Sequence, residues 1–105
     1  MMSRWVLPVV FALALGIPVS AHAATIQIMM ENLVIAPAEA PAKVGDTLEL
    51  INKDIFAHTA TARNGDFDVA MPPKKTVTYV LKKAGAINYY CRFHPNMKAV
   101  LNVAP

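Results

Sequence analysis

The stretch Ala86–Val103 reads AINYYCRFHPNMKAVLNV, and two patterns meet in it. AINYYC places Ile87, Tyr89 and Cys91 on one side and Asn88 and Tyr90 on the other, while AVLNV sets Leu101 and Val103 against Val100 and Asn102. Period-two alternation is the signature of half-buried strands, because successive side chains point to opposite faces. The same period recurs upstream. TLELIN sets Leu48 and Leu50 against Thr47 and Glu49, and TVTYVL sets Val77, Tyr79 and Leu81 against Thr76, Thr78 and Val80. TIQIMM, Thr25 to Met30, is a further candidate strand. Turn-forming residues separate these runs at Val44-Gly45-Asp46, Arg63-Asn64-Gly65-Asp66, Met71-Pro72-Pro73 and Lys83-Ala84-Gly85. Short strands at this spacing predict an all-β sandwich rather than a βαβ fold. Glu31–Lys43, rich in Ala and Pro, reads as an irregular edge.

The first residues belong to a different pattern. Arg4 precedes the apolar run Trp5 to Val19, and Ala21-His22-Ala23 supplies small residues at an A-x-A site. These are the parts of a secretory signal peptide, residues 1–23. The run contains Pro8, Gly16 and Pro18 and is shorter than the ~20 apolar residues of a spanning helix. Export to the periplasm with cleavage near Ala23 is therefore expected, leaving no membrane span in the mature protein. Removing 23 of the 105 residues leaves 82, Ala24 to Pro105, which is one small domain with a thin core. Small exported domains add disulfides or a metal to such a core. With one Cys no internal disulfide is available, so composition already favours a metal. Arg4 is the only charged residue removed, so the formal charge falls from +3 to +2. There is no basic stripe and no base-stacking motif, which argues against nucleic-acid binding.

Between the two strands of the opening stretch lies CRFHPNM, Cys91 to Met97. Cys91, His94 and Met97 are spaced by three, which would also suit one side of a helix. Pro95 argues against a helix, since the residue before proline is pushed out of the α region, and Asn96 favours a turn. A tight loop that aims these side chains at one centre is the better reading. Each residue has an ordinary alternative: a lone Cys as a small buried hydrophobe, a Met as core filler, a His as an exposed loop residue. Together in seven residues of an exported protein they make a metal set. A fourth ligand should be a His, and after removal of His22 only His58 in FAHTAT remains. Zinc rarely takes thioether and prefers four strong ligands in structural sites. Thiolate and thioether suit Cu(I) and imidazole suits Cu(II), so copper fits both halves of the set. No position stays open for a substrate, which points to electron transfer rather than catalysis.

With these residues in place the chain resembles the cupredoxins, the small blue copper proteins, and among them most of all the amicyanins, then plastocyanins and pseudoazurins. The resemblance rests on Gly45-Asp46-Thr47, on Asn52 six residues before His58, on Gly85 leading into Tyr89-Tyr90-Cys91, and on the short Cys-x2-His-x2-Met loop. It implies a Greek-key β-sandwich over residues 24–105, with one copper per chain cycling between Cu(II) and Cu(I). It makes His58, Cys91 and His94 the equatorial ligands, Met97 the axial one, and His94 an electron port in an apolar patch with Phe56, Met71, Phe93 and Pro95. It also implies a monomer and redox-protein partners, an amine dehydrogenase and a c-type cytochrome by family pattern. Two departures stand out. Ala57-His58-Thr59 replaces a common Pro-His-Asn whose Asn braces the Cys loop, and Ala99 stands where Gly is common.

The rival reading is a copper storage or delivery module using Met29, Met30 and Met71 as further thioethers. These methionines lie in or beside strand-like runs, where core packing is the stronger reading. An enzyme is not expected, because two mature histidines cannot build a second, catalytic copper centre.

Overall fold

The computed structural model describes residues 22–105. The expected signal segment, residues 1–23, lies outside the described residues but for His22 and Ala23. The described chain forms strands β1 (Thr25–Glu31), β2 (Val34–Ala36), β3 (Glu39–Lys43), β4 (Thr47–Asn52) and β5 (His58–Ala62). After these come β6 (Asp68–Met71), β7 (Thr76–Val80), β8 (Gly85–Tyr90) and β9 (Lys98–Ala104). Among the described residues no helix is long and apolar enough to cross a membrane.

The strands form two sheets, ordered β2-β1-β4-β7 and β3-β9-β8-β5-β6. Most neighbours are antiparallel, but β1 lies parallel to β4 and β3 parallel to β9. The sandwich core is built from the alternating positions. Ile28, Met30, Leu48 and Leu50 from one sheet meet Ile87, Tyr89, Leu101 and Val103 from the other, all buried. Burying one face of each strand is the main favourable term for a domain this small.

The segment Glu31–Lys43 is more regular than expected. β2 folds back on β1, with Met30 opposite Ile35, and β3 crosses to the other sheet to pair with β9. Asn32 and Leu33 make the reversal with positive φ angles of 52° and 61°. At the far end of β4, Gly45 adopts φ +94°, a region glycine enters without penalty. There its N–H donates to Leu81 O at 2.8 Å. Next to it, Asp46 accepts backbone N–H bonds from Ala24 (2.9 Å) and Lys43 (2.8 Å). Those two bonds, that of Ala24 first, hold its carboxyl below the usual aspartate range. The other end of β4 carries the loop that leads to His58.

Candidate metal centre

His58 is the first residue of β5 and sits opposite Met71 of β6. Its approach is organised by Asn52, the last residue of β4, which is 2 % exposed. The Asn52 amide donates to Phe56 O (2.8 Å) and Met71 O (3.0 Å), and its oxygen accepts the Asp54 N–H at 2.9 Å. One buried amide thus satisfies the loop that presents His58, which gives the six-residue spacing from Asn52 to His58 a physical cause.

Cys91 directly follows β8, on the buried face that carries Ile87 and Tyr89. The loop after it closes on itself through the backbone. His94 N–H donates to Cys91 O (3.2 Å), Met97 N–H to His94 O (2.9 Å), and Cys91 N–H to Met97 O (3.0 Å). The spacing by three therefore reflects successive tight turns rather than a helix.

These elements bring His58, Cys91 and His94 together, with their donor atoms all within 4.8 Å of one another. Cys91 Sγ lies 3.6 Å from His58 Nδ1 and 3.8 Å from His94 Nδ1. A nitrogen and a sulfur bound to one ion at metal-ligand bond lengths lie at most about 4.4 Å apart. Both observed separations fall inside that limit, so the set fits a shared ion. Cys91 and His58 are buried, whereas His94 is half-buried. Met97 is buried at the end of the loop, and it lines a surface recess with Leu33, Phe93, His94, Pro95 and Asn96.

The surface around His94 is apolar. Phe56 and Phe93 are exposed, as is Leu33, and the Phe56 ring centroid lies 6.1 Å from that of His94. Met71, expected in this patch, is fully buried instead. Its position in β6 opposite His58 turns it inward. Met30 is also fully buried, so it fills core as expected.

Both departures have structural answers. Thr59 Oγ1 accepts the Arg92 N–H at 2.9 Å, across 33 residues of sequence, so this hydroxyl braces the Cys loop. Ala99 lies in β9 opposite Tyr89, in regular strand conformation where glycine is not needed.

Asp54 is the residue that sequence reasoning missed. Its Oδ2 lies 2.7 Å from His58 Nε2, and it also accepts the N–H groups of Asn32 (2.7 Å) and Leu33 (3.2 Å). Burial pushes its carboxyl up, but His58 and the two backbone donors outweigh this and hold it below the usual range. Asp54 precedes His58 by four residues, and the signal in the sequence was only its place inside the Asn52–His58 segment.

Comparison with known proteins agrees with this fold. The sequence pattern of the cupredoxin-like domain family matches residues 4–103. A comparison with curated protein sequences found no match. Among solved structures, an oxidized amicyanin carrying a Met-to-Leu substitution superposes with a TM-score of 0.67 at 23% identity. The match covers 74% of this chain and 80% of that one. A purple cupredoxin from Nitrosopumilus maritimus gives 0.64 at 24%, covering 74% of this chain and 98% of that one. A copper-containing nitrite reductase from Thermus scotoductus gives 0.66 at 22%, covering 77% of this chain but only 22% of that one. The fold, the family pattern and a donor set of two imidazoles and one thiolate, which suits copper, lead to one conclusion: this chain belongs to the cupredoxin-like domain family.

Proposed function

We propose that the protein is a one-electron carrier in which His58, Cys91 and His94 hold a single copper and the Met97 thioether adds a weak fourth contact. The observation that carries this reading is the convergence of the three donor atoms within 4.8 Å, two of them buried and one reaching an apolar surface. Bound there, copper supplies a one-electron couple between Cu(II) and Cu(I). The thiolate of Cys91 and the imidazoles of His58 and His94 are a compromise set for both states.

The protein's own part is to resist rearrangement. The loop from Cys91 to Met97 is closed by three backbone hydrogen bonds, Thr59 ties it to β5, and Asn52 fixes the approach to His58. Donors held this way keep their positions when the charge at the centre changes, which keeps the reorganisation cost of electron transfer low. Phe56, Phe93, Leu33 and Pro95 exclude water around the half-exposed His94 and offer a partner protein an apolar contact beside that imidazole. We assign the partners to redox proteins, an amine dehydrogenase and a c-type cytochrome being the classes the family pattern suggests. The working form is residues 24–105 after removal of the signal segment, and its site of action is the periplasm.

The test is repeated reduction and reoxidation of the copper-loaded protein in the presence of a Cu(I) chelator. A carrier takes one electron per chain and keeps its copper through the cycles. Transfer of the metal to the chelator on the first reduction would refute this reading in favour of storage or delivery.

A further inference from the structure

The two ring nitrogens of His58 have different neighbours. Nδ1 lies 3.6 Å from Cys91 Sγ, among the converging donors, while Nε2 lies 2.7 Å from Asp54 Oδ2. An ionised carboxylate can only accept hydrogen bonds. Asp54 accepts the Leu33 N–H at Oδ2 and the Asn32 N–H at Oδ1, and the same Oδ2 meets His58 Nε2. With donors on both oxygens, an amide at this position would turn its NH2 group toward at least one of them. The side chain of His58 is 0% exposed and that of Asp54 9%, so solvent does little to weaken the pair. Asn32 and Leu33 hold left-handed conformations, uncommon for a residue as bulky as leucine, and their two N–H groups both point at this carboxylate.

We propose that Asp54 is a positioning residue for the metal centre. It keeps the His58 proton on Nε2, turns the bare Nδ1 toward the other donors, and sets a buried negative charge behind that ligand. The charge makes the imidazole a stronger donor and favours the more highly charged ion, so it tightens divalent metal binding and lowers the reduction potential. The same carboxylate clamps the β1–β2 reversal, and Leu33 from that reversal shares a surface recess with His94. One side chain therefore ties the buried imidazole to the surface beside the half-buried one. The part of this proposal that concerns potential rests on the copper reading; the tautomer and the binding of a divalent ion do not.

The experiment uses the full-length protein. Long-range nitrogen-15 NMR of the metal-free form at mildly alkaline pH reads the tautomer. The Nε2–H form of His58 alone is expected. Asp54→Asn should weaken Zn(II) binding, measured by chelator competition, by about 10- to 100-fold. It should also raise the potential of the copper form. A tenfold greater loss of affinity for Cu(II) than for Cu(I) reads as about 59 mV. Asp46→Asn is the control: it alters a carboxylate that clamps backbone at the other end of β4, and should lower thermal stability while leaving Zn(II) affinity and potential unchanged. An Nδ1–H tautomer in the unmodified protein overturns the proposal whether or not Asp54→Asn folds. Unchanged Zn(II) affinity in a folded Asp54→Asn protein, or an equal loss in Asp46→Asn, overturns it as well. The expected tautomer and Zn(II) loss in a protein that develops no copper-thiolate colour would refute the copper reading and leave this role for Asp54 standing.

Discussion

Thr59→Val removes one hydroxyl while keeping the shape of a β-branched residue, and the hydroxyl it removes joins two parts of the site. Thr59 Oγ1 accepts the Arg92 N–H at 2.9 Å and lies 2.8 Å from Thr61 Oγ1, which in turn donates to Asp68 Oδ1 at 2.8 Å. Because Thr61 gives its proton to a carboxylate, the Thr59 hydroxyl must donate to Thr61, and so it both accepts and donates. Thr61 keeps Asp68 in the variant, so the group stranded is the Arg92 N–H at the start of the Cys91–Met97 loop. Arg92 is an exposed residue, so water reaches part of the vacated space. The cost then lies near that of one ordinary bond with partial desolvation, about 1–1.5 kcal/mol. For a domain of this size each kcal/mol moves Tm by about 4–8 °C, so thermal unfolding of the metal-free protein should drop by about 4–12 °C. Thr59→Ser keeps the hydroxyl and should recover most of that loss. A Tm within about 2 °C of the unmodified protein for Thr59→Val, with Thr59→Ser no different, would refute the claim that this hydroxyl braces the loop.

Met97→Leu should retain bound copper and raise the reduction potential, since loss of a weak axial donor disfavours Cu(II); complete loss of copper on dialysis would show Met97 to be an anchor instead. Asp46 has a depressed carboxyl, so its stabilising contribution is full above the unfolded value near pH ~4 and is lost as pH falls through the lower folded value. Tm measured from neutral to acidic pH should therefore fall less steeply for Asp46→Asn than for the unmodified protein, and parallel curves would contradict this. Association with a redox partner should depend only modestly on salt, because the expected mature charge is small and the surface around His94 is apolar. Stopped-flow rates falling steeply with ionic strength would point to a charged docking surface.

The strands that could be read from the sequence were those whose two faces differ. β1, β4, β7, β8 and β9 alternate because one side meets the core and the other meets water or a looser layer. β5 was silent: HTATA is almost wholly buried on both faces, and small Thr and Ala residues carry no period. β2 and β6 have only three and four residues, too short for a pattern, and the Ala and Pro of β3 are poor strand formers taken singly. The parallel pairing of β1 with β4 and of β3 with β9 depends on contacts between distant segments, which no local window contains.

The site was legible to the same degree. Cys91 and His94 announced themselves because one loop carries them, and His58 followed because, with residues 1–23 set aside as the expected signal segment, no other histidine was available. Met71 was placed in the surface patch because a Met before two prolines looks like loop, whereas the β5–β6 pairing sets it opposite His58 and inside, in keeping with its other reading as core. Asp54 was invisible for a related reason. Its value lies in facing His58 on one side and the N–H groups of Asn32 and Leu33 on the other, and that requires the β1–β2 reversal to be folded against the β4–β5 loop.

The most direct measurement is the visible absorption spectrum of the metal-free protein titrated with Cu(II). With Cys91 Sγ buried between two imidazole nitrogens, an intense blue charge-transfer band from thiolate to Cu(II) should grow to saturation at one copper per chain. Cys91→Ser should abolish it, because an alkoxide is a poor soft ligand. A weak spectrum with no thiolate band, or an intense band that survives in Cys91→Ser, would contradict the assignment.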